Sequence, residues 1–179
     1  MRNFDDLYME MAESVSKMSR AKRAQVGALL VKDNNVLAFG FNGTPSGFDN
    51  ECEERVIGSM PGYNGIFTQL KTKREVLHAE SNALMKMSRS TQSSEGATIY
   101  VTMAPCFECA KLIVQSGVKK VVYGEQYRDT SSITFLEQAN IEVEKYERAI
   151  PVGRKVSTTI DPRMYSPGEP DEGFLDPTR

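Results

Sequence analysis

Two short runs of residues decide how this chain is organised and what it can bind: His78-Ala79-Glu80 and Pro105-Cys106-Phe107-Glu108-Cys109. Imidazole nitrogen and thiolate sulfur are preferred zinc ligands, so His78, Cys106 and Cys109 form a candidate zinc site. Three protein ligands leave the fourth tetrahedral position open to water, whereas a structural site normally closes it with another Cys or His. The pattern therefore indicates a catalytic zinc.

Glu80 is the candidate catalytic residue of this site. Side chains two positions apart on a helix point in different directions, so Glu80 is not expected to bind the metal together with His78. Its longer side chain can instead reach the open position, accept a proton from water there and pass it on.

The composition strengthens this interpretation. His78 is the only histidine, and the C-x-x-C pair uses two of the three cysteines. Taken separately, a lone histidine is more often packed or on the surface, and a C-x-x-C pair can be a thioredoxin-like redox motif. An all-cysteine site would need Cys52 and would leave His78 and Glu80 unexplained. Ligands for a second ion are missing, so one zinc per chain is predicted.

The length and charge of the chain favour some classes of protein and argue against others. The chain has 179 residues, 40% of them hydrophobic and 26% charged, with a net charge of −2. These values favour one globular domain without the basic character of a duplex-binding protein. No run approaches the roughly 18 apolar residues of a membrane span, and the N-terminus lacks signal-peptide character. With no cysteine pair left for a disulfide, a cytoplasmic protein is expected, with neither a nucleic-acid polymer nor a membrane as partner.

The order of predicted elements indicates the fold class. Hydrophobic spacing predicts alternating helices and strands, beginning with a helix and a β-hairpin. The predicted helices are 5–19, 78–87, 106–114 and 131–139, and the predicted strands are 26–31, 36–41, 97–101, 118–123 and 141–143. This order predicts an α/β fold, a three-layer α/β/α sandwich with a mixed sheet of about five strands. Both halves of the metal site would begin helices, where the positive dipole end favours thiolate.

Two stretches lack such periodicity. Residues 42–72 are predicted to be irregular, and an irregular stretch of this length usually has a function. Residues 148–179 contain five of the eight prolines and are predicted to form a C-terminal extension to a zinc-dependent domain over 1–147.

Several runs resemble the deoxycytidylate deaminases of the cytidine/deoxycytidylate deaminase superfamily. H-x-E and P-C-x-x-C form the signature of the zinc nucleobase deaminases. The N-G-x-P-x-G loop at 42–47 and the run 109–117 are similar to the deoxycytidylate branch. The resemblance covers residues 5–147 and implies a cytidine deaminase-like fold. The runs that carry it are Val26-Gly27-Ala28, Phe41-Asn42-Gly43-Thr44-Pro45-Ser46-Gly47, His78-Ala79-Glu80-Ser81-Asn82-Ala83 and residues 96–124.

This resemblance implies a reaction and a mode of control. The reaction is zinc-dependent hydrolysis of dCMP to dUMP and ammonia, which supplies dUMP for thymidylate synthesis, with Glu80 transferring the protons. The resemblance also implies a homohexamer that is activated by dCTP and inhibited by dTTP, with Mg²⁺ accompanying the triphosphate.

The resemblance further implies roles for individual residues. Asn42 is expected to contact the sugar, Ala79 and Glu80 to read the base edge, and Tyr127 to pack near the nucleotide. Arg89 is associated with the substrate phosphate and the allosteric response, although a solvated cation at a helix end is the ordinary alternative. Some relatives have a second zinc site, but here Cys52 is expected to be a free thiol. The expected effector region consists of Asn42, Gly43, Thr44 and Arg89.

The sequence is also compatible with alternative functions. A deaminase of free nucleosides, polynucleotides or tRNA would share the zinc signature, although the acidity and the 42–47 loop argue against a polynucleotide substrate. An inert nucleotide-binding or zinc-scaffold protein is a further alternative. Glu80 argues against it, because a structural site needs no carboxylate beside an open metal position.

Overall fold

The computed structural model describes residues 3–59, 66–127 and 129–148. The predicted extension 148–179 therefore lies, beyond its first residue, outside the described residues. The helices are α1 (Phe4–Ser16), α2 (Ala79–Ser88), α3 (Phe107–Gln115) and α4 (Ser131–Gln138), and the strands are β1 (Gly27–Lys32), β2 (Asn35–Phe41), β3 (Glu53–Ser59), β4 (Ile66–Thr72), β5 (Thr98–Met103), β6 (Lys120–Glu125) and β7 (Glu142–Lys145).

The main sheet has five strands in the order β2-β1-β5-β6-β7. Strand β1 is antiparallel to both β2 and β5, whereas β5, β6 and β7 are mutually parallel. The turn between β1 and β2 places Asp33 and Asn34 at φ values of 50° and 59°. Asp and Asn tolerate this left-handed conformation better than most residues. The predicted mixed five-stranded sheet is confirmed.

Helices cover both faces of this sheet. Successive residues of a strand point to opposite faces. Leu29 and Val31 of β1 pack with Met9 of α1, whereas Ala28 and Leu30 belong to the core beneath α2, α3 and α4. The predicted three-layer α/β/α arrangement is therefore confirmed, with α1 on one face and α2, α3 and α4 on the other.

Gly40 lets the start of α2 approach the main chain of β2 directly. A Cβ atom at this position would overlap the Ala79 carbonyl oxygen and would lie 2.5 Å from the Ala83 nitrogen. These neighbours are backbone atoms, so no rotation of a side chain could make room for a Cβ atom at Gly40. Helix α2 therefore rests on β2 through main-chain contact.

The prediction that residues 42–72 are irregular is wrong over two segments. Strands β3 and β4 form an antiparallel hairpin, with Glu53 opposite Thr72 and Ser59 opposite Ile66. The hairpin is a separate two-stranded sheet, and Ile57 within it is 77% exposed. Because its strands do not cover the core, they lack the clear alternation of buried and exposed residues that identifies a strand in a sequence.

None of the helices in the described part of the chain is both long enough and apolar enough to cross a membrane.

Candidate metal centre and active site

Both halves of the predicted metal site lie at helix N-termini. His78 is the N-cap of α2 and Cys106 is the N-cap of α3, both with extended backbone, while Cys109 lies within α3. Pro105, immediately before Cys106, is fully buried. Helix N-termini carry a partial positive charge, which favours thiolate over thiol.

The three predicted ligands converge. His78 Nδ1 lies 3.3 Å from Cys106 Sγ and 3.4 Å from Cys109 Sγ. All three ligand atoms lie within 4.8 Å of one another, and no other His, Cys, Asp or Glu group among the described residues is arranged this way. Tetrahedral zinc with bonds of about 2.0 and 2.3 Å separates its ligand atoms by roughly 3.5 Å, so the spacing fits the ion. Hydrogen bonds with Cys109 and with His78 lower the pKa of the Cys106 thiol, which favours the thiolate that zinc needs.

Glu80 lies beside this group but is not part of it. Its side chain is only 3% exposed, although it lines the same cavity as His78 and Cys106. Burial raises the pKa of Glu80 to about 6. The carboxyl group is therefore suited to accept and release a proton near neutral pH.

A cavity of about 410 Å³ connects these residues with the surface. This volume lies within the usual range for a small-molecule site. The described lining residues are Arg23, Ala24, Val26, Asn42, Glu53, Thr72, Val76, His78, Ala79, Glu80, Met103, Ala104, Cys106, Gln126 and Tyr127.

Asn42 lines the cavity, and its amide also fixes the neighbouring segment. Its Oδ1 accepts from the Val26 N–H at 2.8 Å, and its Nδ2 donates to the Ala24 carbonyl at 2.8 Å. The next residue, Gly43, exchanges two main-chain hydrogen bonds of 3.1 and 2.9 Å with Leu77. Leu77 directly precedes His78, so the loop that begins at Asn42 is joined to the segment carrying the metal ligand.

Of the other predicted site residues, some line the cavity and some do not. Ala79, fully buried, and Tyr127, 41% exposed, both line the cavity. The Thr44 hydroxyl donates to the Asp49 carbonyl at 2.5 Å, and Thr44 is not among the described lining residues. Arg89 is the C-cap of α2 and is exposed. It lies nine residues from Glu80, or about 13 Å along the helix, and the cavity does not include it.

Among the described residues, four polar ones that line the cavity were not predicted from the sequence: Arg23, Glu53, Thr72 and Gln126. Arg23 and Glu53 are thirty positions apart and meet only because the hairpin returns to the segment before β1. Gln126 accepts a 2.8 Å bond from the Tyr123 hydroxyl at the end of β6. The sequence gives only a weak indication of this role for Arg23, which is the pair of adjacent cations Lys22 and Arg23 shortly before Val26-Gly27-Ala28.

A family comparison agrees with this geometry. Residues 2–125 match the model of the cytidine and deoxycytidylate deaminase zinc-binding region. The chain belongs to this deaminase family. The match includes all three predicted ligands and Glu80.

Individual relatives extend the comparison. The chain is 36% identical over 126 residues to the deoxycytidylate deaminase of Mycobacterium phage D29, covering 69% of this chain and 96% of that protein. It is 35% identical over 147 residues to the deoxycytidylate deaminase of Schizosaccharomyces pombe, covering 80% of this chain but 44% of the longer yeast protein. The crystal structure of dCMP deaminase from cyanophage S-TIM5, in complex with dCMP and dUMP, has a TM-score of 0.70 and 44% identity, covering 82% of this chain and 99% of that one.

Proposed function

We propose that this chain hydrolyses dCMP to dUMP and ammonia. The observation that carries the proposal is Glu80, a buried carboxylate that is not a metal ligand, beside His78, Cys106 and Cys109 in one cavity. A solely structural zinc site would not need this carboxylate. The phage D29 relative is named a deoxycytidylate deaminase, and the S-TIM5 enzyme was solved with dCMP and dUMP; both support this choice of substrate.

In the proposed reaction, His78, Cys106 and Cys109 hold zinc. When bound, the ion supplies Lewis-acid chemistry that lowers the pKa of water. Glu80 would accept one proton from the water that attacks C4 of cytosine and deliver it to N3. It would then take the remaining proton of that oxygen and deliver it to the amine, which leaves as ammonia while the C4 carbonyl forms. A carboxyl group with a pKa raised to about 6 can serve in both directions at neutral pH.

The remaining lining residues are proposed to orient the nucleotide. First-turn N–H groups of a helix have no intrahelical acceptor, so Ala79 offers a main-chain donor to the base edge. Tyr127 and Asn42 both line the cavity. Tyr127 is proposed to pack near the nucleotide and Asn42 to contact its sugar. Asn42 also keeps residues 24–26 in place through its two amide hydrogen bonds.

Regulation and assembly form a finer part of the proposal. We propose a homohexamer that supplies dUMP for thymidylate synthesis, is activated by dCTP and is inhibited by dTTP, each with Mg²⁺. The main-chain bonds between Gly43 and Leu77 support a regulatory role for the loop containing Asn42, Gly43 and Thr44, because they connect it to His78. Arg89 is proposed to act from the opposite end of α2, which also carries Glu80.

The reaction is tested by ammonia release from dCMP, deoxycytidine and single-stranded DNA containing cytosine. We expect dCMP to have the highest kcat/KM. A preference for deoxycytidine or DNA would contradict the proposed substrate. Zinc binding without turnover of any of the three would favour the scaffold alternative.

Control by effectors is tested through initial rates against dCMP concentration, alone and with dCTP–Mg²⁺ or dTTP–Mg²⁺. We expect the two triphosphates to shift the curve in opposite directions, and Arg89→Glu to alter the shift at unchanged zinc content. Three superimposable hyperbolic curves would exclude this control. Strict competition between dTTP and dCMP would place dTTP in the active site, and an unaltered response of the variant would remove Arg89 from the mechanism.

A further inference from the structure

The cavity contains one permanent cation among its described lining residues. Arg23 supplies it, whereas Glu53 and Glu80 are acidic and His78 belongs to the metal site. Arg23 lies in the segment between α1 and β1 and is exposed. A ligand that enters from solvent can therefore reach its guanidinium group.

Most of the guanidinium's hydrogen-bonding capacity is uncommitted. Arg23 Nη1 donates to the Thr72 hydroxyl at 3.1 Å, and no carboxylate in the described part of the chain forms an ion pair with Arg23. A guanidinium group has five N–H donors in a planar fork. Its neutral partner leaves the positive charge available for an anion.

A buried carboxylate holds the main chain that carries Arg23. Glu53 is 9% exposed, and its Oε1 accepts the N–H groups of Lys22 at 2.9 Å and Arg23 at 3.2 Å. Glu53 and Thr72 are opposite each other in the hairpin register. One pair of residues from β3 and β4 therefore fixes both the main chain and the side chain of Arg23.

We propose that Arg23 and the Thr72 hydroxyl bind the 5′-phosphate of the nucleotide, and that Glu53 is the positioning residue for Arg23. The inference rests on the proposed function, because it takes a nucleoside monophosphate as substrate. The guanidinium fork matches two phosphate oxygens, and the hydroxyl can donate to a third. Glu53 Oε1 already accepts hydrogen bonds from the N–H groups of Lys22 and Arg23. These bonds offset part of the repulsion between the Glu53 carboxylate and the phosphate.

The test compares dCMP with deoxycytidine, which differ only in the phosphate. The zinc-loaded full chain, Arg23→Gln and the control Arg20→Gln are assayed on both substrates. We expect Arg23→Gln to lower kcat/KM for dCMP by about 10- to 100-fold, the usual effect of losing a charge-assisted bond, and deoxycytidine turnover to change less than about threefold. Arg20 is exposed and not among the described lining residues, so its variant should keep the wild-type preference.

Two outcomes of this assay would overturn the inference. One is an Arg23→Gln enzyme that keeps the full preference for dCMP, and the other is an equal loss on both substrates, which would indicate a structural role. The role of Glu53 has its own readout. Glu53→Ala should reduce the dCMP-to-deoxycytidine ratio, and Glu53→Gln should restore it, because an amide oxygen can still accept both N–H bonds.

A binding measurement separates this inference from the proposed reaction. Calorimetry compares dUMP with deoxyuridine on wild type and Arg23→Gln. If wild type does not deaminate dCMP but binds dUMP more tightly than deoxyuridine through Arg23, the proposed reaction fails and the phosphate site stands. If wild type binds dUMP no more tightly than deoxyuridine, the phosphate site is overturned, whatever the turnover.

Discussion

The cavity has two walls that are built in different ways. The inner wall consists of the first turns of α2 and α3, where Ala79 and Glu80 are 0% and 3% exposed. The outer wall consists of the segment before β1 and the β3–β4 hairpin, where Arg23 is exposed and Ile57 is 77% exposed. The inner wall is part of the core, whereas the outer wall is held by a few polar hydrogen bonds.

This difference separates two tasks. Groups that transfer protons or hold a metal must keep their geometry closely, and packing against the core provides that. Groups that select the substrate can lie on exposed segments, because a few polar contacts are sufficient to discriminate between ligands. We therefore expect changes in the inner wall to abolish chemistry and changes in the outer wall to alter the choice of substrate.

The largest effect is expected from Cys106→Ala. Loss of one of three ligands should remove zinc and reduce ammonia release to background, because the remaining His78 and Cys109 make an incomplete site. Elemental analysis of the same sample checks the prediction, with one zinc per wild-type chain as reference. Cys52→Ala is the matched control, since Cys52 is buried but is not in the ligand group. Full metal retention in the Cys106 variant would contradict the assignment.

Glu80→Gln is expected to have the next largest effect. An amide cannot transfer the protons, so turnover should fall by about 10²- to 10⁴-fold. Zinc content should stay at one per chain, because Glu80 is not needed as a ligand. Turnover and metal are measured on one preparation. Residual activity within about tenfold of wild type would rule out the proton-transfer role.

The same substitution should stabilise the metal-free chain. Burial raises the pKa of Glu80 from 4.5 to about 6, so the folded state binds this proton more tightly than the unfolded state does. The contribution of Glu80 to stability is therefore present below about pH 4.5 and is lost as the pH rises through 6. Above pH 6, Glu80→Gln should exceed wild type by up to about 2 kcal/mol.

Urea unfolding in the presence of a chelator, at pH values from 4.5 to 8, checks this stabilisation. Chelation is needed because a bound cation would itself favour the carboxylate. A stability difference between variant and wild type that stays constant over this range would show that the charge of Glu80 costs the folded state nothing.

Thr72→Val on the outer wall should have the smallest effect. It removes the 3.1 Å partner of Arg23 but keeps the side-chain shape, so kcat/KM for dCMP should fall by roughly two- to tenfold, as for loss of one ordinary hydrogen bond. Deoxycytidine turnover should stay the same. Thr68→Val, on the same strand but outside the described cavity lining, is the control. A loss of zinc in Thr72→Val would contradict the claim that changes in the outer wall alter substrate choice without affecting the metal site.

The inner wall could be predicted from the sequence because its signals are local. His78 and Cys106 lie at the starts of two predicted helices and Cys109 lies within the second. The apolar residues of α2 are buried: Ala79, Ala83, Leu84 and Met87. Strand β6 was predictable for a similar reason, because a strand that helices cover on both faces forms a continuous apolar run in the sequence.

The outer wall could not be predicted in this way. Arg23 lines the cavity because Glu53, thirty residues later, binds its main chain, and no local pattern encodes such a contact. The hairpin was missed because it pairs with itself and covers no core. Sequence patterns report burial well, but they do not report where exposed segments return to the same site.

The contact at Gly40 couples the edge strand β2 directly to the helix that carries the proposed catalytic residue. Side chains between two elements can change rotamer and absorb a shift, but Gly40 and Ala79 meet through main chain alone. A displacement of β2 towards α2 would therefore push on the first turn of α2, which carries Glu80. Misplacement by about 1 Å can cost on the order of 10²-fold in rate, so the stiffness of this sheet edge limits how well the enzyme can work.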